Sequence, residues 1–88
     1  VLKNVDIEHY FEFDQIDGRT KFLTTPEITG FKIVEMPGLP DKSTGKYVLI
    51  LRKKEDPDFS WSERRIVPLF KWTQKNGGSY KGWSEIVK

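Results

Sequence analysis

The stretch Val5–Phe13, "VDIEHYFEF", alternates in a way that only one kind of element satisfies. Val5, Ile7, His9, Phe11 and Phe13 fall on one face and Asp6, Glu8, Tyr10 and Glu12 on the other. A period of two residues is the mark of a half-buried strand, because successive side chains of extended backbone point to opposite sides. A chain that opens this way must find a layer to cover the apolar face. The rest of the sequence is read with that requirement in mind.

Asp17-Gly18 follows, a pair suited to a tight hairpin turn because both central residues of a type I′ turn need positive φ. On that reading "RTKFLTT" is the returning strand and Pro26 ends it. "GFKIVEM" and "KYVLILRKK" read as two more strands joined by "PGLPDKSTG", whose prolines and glycines mark a longer loop. Tyr47 to Leu51 is apolar on both faces, which predicts a central strand covered on both sides.

Residues 60–76, "SWSERRIVPLFKWTQKN", admit two readings. Ser60 and Glu63 fit a capping box, Ile66, Leu69, Phe70 and Thr73 share a helical face, and Gly77 is placed to close a helix. Pro68 opposes this: inside a helix it costs about 3 kcal/mol, against about 1 kcal/mol returned by a capping box. The strand reading is therefore preferred, with a short helix somewhere in 58–76 as the alternative. The expected fold is mainly β: a small antiparallel barrel or strongly bent sheet of five to six strands, forming one domain over residues 1–88. The start "VLKN", without an initiator methionine, suggests a domain excised from a longer protein.

Among the 88 residues are 36% hydrophobic and 14% aromatic, so a large share of the burial must come from rings, and there is no cysteine. Disulfides, thiolate metal sites and a cysteine nucleophile are excluded together. Histidine is also scarce. His9, the only one, lies between Ile7 and Phe11 on the apolar face and reads as a core residue with satisfied nitrogens. Glu8 and Glu12 stand about 13 Å apart along a strand, too far for an acid/base pair. "GLPDKSTGKY" misses the phosphate-loop spacing, and Lys46 is followed by Tyr47 where Ser or Thr is needed. No enzyme, cofactor or metal site is expected.

The remaining expectation is a binding module. The net charge of +2 divides unevenly: residues 1–44 hold five Lys/Arg against eight Asp/Glu, and residues 45–88 hold ten against five. Such a basic half attracts phosphate or an acidic partner, unless the acidic segment simply lies beside a basic strand in the same sheet. In "KWTQKNGGSYKGW" a hairpin turning at Asn76-Gly77 sets Phe70 opposite Trp83. Ile66, Pro68, Phe70, Trp72, Trp83 and Val87 then share an apolar face, predicting that Trp72 and Trp83 are core. Arg65, Lys71 and Tyr80 face the other way, with Lys75 and Lys81 beside the turn. These five residues form the candidate nucleic-acid site, suited to single strands more than to duplex, with Tyr80 stacking on a base and the cations on phosphates. The alternative is a protein–protein interaction module using an edge strand or the 37–45 loop. No membrane-spanning segment is expected.

Overall fold

The computed structural model describes residues 4–58 and 60–86. Strand β1 is Val5–Phe13, as its alternation requires, and it sits inside a four-stranded antiparallel sheet with β2 (Lys32–Glu35), β3 (Tyr47–Glu55) and β4 (Gly78–Ile86). The order across the sheet is β2-β3-β1-β4, so β2 and β4 are edges and the sheet is not closed. Helix α1 (Ile16–Phe22), a 3-10 turn at Pro26–Ile28, a π-helical turn at Ser62–Ile66 and helix α2 (Val67–Lys75) complete the described elements.

The expected barrel and its fifth and sixth strands are therefore corrected to an open sheet with helices, and both extra strands fail for identifiable reasons. "RTKFLTT" lies largely in and just after α1, and Gly18, which was to turn a hairpin, has no positive φ. The glycine is needed for space: a Cβ on Gly18 would lie 2.1 Å from the Asn76 carbonyl oxygen. Residues 60–76 are helical despite Pro68. The chain widens into a π turn over Ser62–Ile66 and starts α2 at Val67, which leaves the proline in the first turn of α2, where its missing N–H leaves no bond unmade. Gly77, at φ 74°, then stops the helix, and β4 leaves to pair with β1.

One face of the sheet carries the core. Phe11 and Phe13 of β1 and Leu49 and Leu51 of β3 are buried against Phe22, Ile28 and Leu69 from the helical segments, and Ile7 of β1 is buried as well. Fully burying side chains of this size stabilises by about 1.5–3 kcal/mol each. The expectation that β3 is covered on both sides is corrected: Leu49 and Leu51 are buried, whereas Val48 and Ile50 on the opposite face stay partly exposed. That open face also resolves the charge asymmetry for two cations, since Arg52 bonds Glu8 and Lys54 lies 3.8 Å from Asp6 across the β1–β3 pair.

A bulge in β4 rearranges the aromatics. Tyr10 pairs with Gly82 but Phe11 with Tyr80, so Lys81 is the extra residue and Gly82 takes φ 124°. Trp83, opposite His9, and Tyr80, opposite Phe11, consequently stand on the same face, although three residues apart in a regular strand they would not. Trp83 does not face Phe70, and both are 45% exposed, so Trp83 is not the core residue expected. Trp72 is partly buried against the core. Val87 lies outside the described residues.

Candidate functional site

Two features stand out from the core. The first is a buried polar network at the end of the sheet where β3 finishes. Parity along β3 turns Glu55 to the helix-covered face with Leu49 and Leu51, and both Glu55 and His9 are buried. His9 Nε2 donates to Glu55 Oε2 at 2.8 Å, and the Tyr80 hydroxyl, 2.8 Å away, donates to Nδ1; this tautomer follows from the bonding pattern. The other carboxylate oxygen accepts from Trp61 Nε1 at 3.1 Å and from Arg65 Nε. Burial pushes the Glu55 carboxyl up, but hydrogen bonds from His9, Trp61 and Arg65 outweigh it and hold the group below the usual glutamate range. Burial, with a smaller contribution from Glu55, raises Tyr80, so its hydroxyl keeps its proton. His9 is the satisfied core histidine that its place in the alternation implies. The network ties β1, β3, β4 and the π turn together.

The five residues predicted to bind nucleic acid do not form one surface. Arg65 and Tyr80 belong to this network, on opposite sides of the His9–Glu55 pair. Lys71 and Lys75 are exposed on α2, with the Lys75 ammonium 4.8 Å from the Trp72 ring centre, and Lys81 sits in the β4 bulge 4.0 Å from Glu12. The parity that grouped them assumed a hairpin over 66–87, and β4 pairs with β1 instead. Tyr80 also packs against Phe11, with ring centres 5.2 Å apart, so it has no free face of the kind base stacking needs on that side.

The second feature is the β2 edge and the loop after it. All four residues of β2 are exposed. A bulge at Val34, where Ile33 pairs with Leu51 and Glu35 with Ile50, interrupts the alternation, and Ile33 and Val34 are 47% and 43% exposed. Met36 and Leu39 continue the apolar run at 43% and 79%. The loop is fixed rather than loose. Buried Arg19 donates to the carbonyls of Pro37 at 2.7 Å and Val48 at 2.9 Å, and Asp41 Oδ1 accepts from the backbone N–H of Ser43 and Thr44. Beside the start of β2 lies an open cleft of about 330 Å³, lined in part by Lys53, Trp61, Arg64 and Arg65.

The sequence points only as an alternative to an edge strand, without saying which, or to the 37–45 loop, and it does not reveal the Glu55 network. The available signal is a carboxylate, Glu55, at the same parity as Leu49 and Leu51. Among the described residues no group of acidic or histidine side chains is placed to hold a metal, and no helix is long and apolar enough to cross a membrane.

No curated protein matches the chain. Residues 2–84 match the family model RraB, described as Regulator of ribonuclease activity B. This overturns the nucleic-acid-binding reading. A regulator of ribonuclease activity is a protein-binding regulator whose partner is the ribonuclease, and the family is one of regulators rather than enzymes. The finding favours the protein-interaction alternative. With the match running from residue 2 to residue 84 of 88, the chain belongs to the RraB family of regulators of ribonuclease activity.

Proposed function

We propose that this chain modulates a ribonuclease by binding the enzyme through the β2 edge and the 37–45 loop. The observation that supports this face is the run of exposed apolar side chains, Ile33 and Val34 on β2 and Met36 and Leu39 just after it, beside a strand that among the described residues pairs on one side only. Apolar side chains clustered at an open edge are a liability in a free protein and an asset at an interface. Arg19 and Asp41 hold the loop in one conformation before any partner arrives, which lowers the ordering cost of binding.

The test is an activity assay on a fluorogenic oligoribonucleotide, using purified ribonucleases from the source organism with and without the chain. The expected result is a changed rate for at least one enzyme and loss of that effect in the Ile33→Asp/Val34→Asp double variant. A full effect from a folded double variant would remove this face from the reading. Unchanged rates for every ribonuclease would remove the reading itself.

A further inference from the structure

At its N-terminal end the β2 edge runs into a group of cations. Phe31 immediately precedes β2, and its ring centre lies 5.1 Å from the Lys53 ammonium and 5.1 Å from the Arg65 guanidinium. Lys32 pairs with Arg52 and Ile33 with Leu51, and the cleft beside Lys53 and Arg65 is also lined by Glu55, Asp56 and Asp58, of which Glu55 is bonded to Arg65 and Asp58 to Arg64. Arg65 is neutralised by Glu55. Among the described residues, neither Lys32 nor Lys53 has a carboxylate at ion-pair distance. At the other end of β2 the exposed charge is negative, at Glu35. The edge therefore has a polarity: cationic where it starts, apolar in the middle, anionic where it ends.

The opposite edge is different. In β4 the bulge at Lys81 and the glycine at position 82 break the ladder, and Lys81 already has Glu12 as a neighbour. A bulge and a lysine on an edge are devices that discourage strand addition.

Resting on the reading that the chain acts by binding a ribonuclease, we infer that β2 receives an extended segment of that enzyme as a fifth, antiparallel strand. Each existing neighbour in the sheet is antiparallel. An antiparallel segment meets Glu35 first and Lys32 last, so its acidic residues stand at its C-terminal end, where successive side chains face Lys32 on the open side of the sheet and Lys53 on the helix-covered side. An apolar side chain precedes them, directly opposite Ile33 and on the same face. The bulge at Val34 keeps the ladder short, so main-chain bonds alone give little affinity. The charges supply register, and they make binding sensitive to salt.

The experiment uses the complex of the chain with the ribonuclease it modulates. Amide hydrogen exchange within residues 32–35 is expected to slow at least tenfold on binding, as outward-facing edge amides gain acceptors. A Lys32→Glu/Lys53→Glu variant, shown to be folded by circular dichroism, is expected to bind at least tenfold more weakly at low salt and to lose most of the salt dependence. Overlapping peptides covering the ribonuclease should be retained where an apolar residue is followed by acidic ones. Binding with exchange at 32–35 unchanged, or with affinity untouched by the charge reversal, would overturn strand addition and leave the proposed function standing. If no ribonuclease binds, both fall.

Discussion

His9 and Glu55 meet inside the protein with Nε2 2.8 Å from Oε2, and both are buried. Because Glu55 also accepts from Trp61 and Arg65, one carboxylate satisfies donors from three residues, one on β1 and two at the π turn. Its pKa is held below the ordinary value, so the folded state binds this proton less readily than the unfolded chain does. The stability it contributes is fully present above the unfolded value of about 4.3 and is lost as pH falls through the lower folded value. Urea midpoints measured from pH 7 to pH 3 should show this acid-side loss, and Glu55→Gln should remove it. At neutral pH, Glu55→Ala should cost about 3 kcal/mol or more, because it leaves buried donors without a partner.

Gly18 should reverse a familiar rule. In an exposed helix, Gly→Ala stabilises by about 1 kcal/mol. Here the added methyl would lie 2.1 Å from the Asn76 carbonyl oxygen, a backbone atom that cannot swing away. Gly18→Ala should therefore destabilise by about 1–3 kcal/mol in chemical denaturation, as overpacking does. Gly38→Ala, where the new methyl meets nothing within 4 Å, is the control and should be close to neutral.

Trp83 and Phe11 should separate clearly. Trp83 is 45% exposed and makes an edge contact with Trp61 at 4.9 Å, whereas Phe11 is 1% exposed. Partial burial supports a cost of about 1–2 kcal/mol for Trp83→Ala, and full burial about 3–5 kcal/mol for Phe11→Ala. Equal losses in guanidinium titrations would show that Trp83 is a core residue after all.

The reasons for legibility follow the same division. The alternation of β1 placed Ile7, His9, Phe11 and Phe13 on the buried face correctly, because each obeys a local period. Asp17-Gly18 and Asn76-Gly77 match hairpin signals because glycine in a turn and glycine at a helix end or a close approach look alike in sequence. Pro68 opposes a helix only while it stands at mid-helix, and nothing local in the sequence announces that the preceding turn widens. A hairpin over 66–87 gives a parity that groups Lys71, Tyr80 and Lys81, and helix α2 with the β1–β4 pairing replaces it. The β4 bulge compounds this by shifting Trp83 to the same face as Tyr80. The exposed run Ile33, Val34, Met36 could not be known as exposed until β2 was seen to be an edge.

Arg19 should prove unable to exchange with lysine. It is 4% exposed, sends one Nη1 group to the carbonyls of both Pro37 and Val48, and lies 5.6 Å from the Tyr47 ring centre. A lysine ammonium lacks the planar group that fills this position. Arg19→Lys should cost about 1–3 kcal/mol, and amide exchange should quicken in the 37–45 loop more than in β1.

Leu39 and Asp41 test the loop from two directions. Leu39 is 79% exposed and Asp41 Oδ1 organises the turn through the amides of Ser43, at 2.8 Å, and Thr44, at 3.2 Å. Leu39→Asp removes an apolar contact surface without touching that turn, so stability should stay within about 0.5 kcal/mol while affinity for the ribonuclease falls about tenfold. Asp41→Ala does the reverse: the contact surface remains, but two hydrogen bonds that fix it are gone. It should cost about 0.5–1.5 kcal/mol, speed amide exchange at Ser43 and Thr44, and weaken binding less than Leu39→Asp does, through the added cost of ordering the loop. Calorimetric titration of the ribonuclease with both variants checks the pair. If Leu39→Asp binds as tightly as the unaltered chain, the partner does not rest on the loop, and the interface is confined to β2.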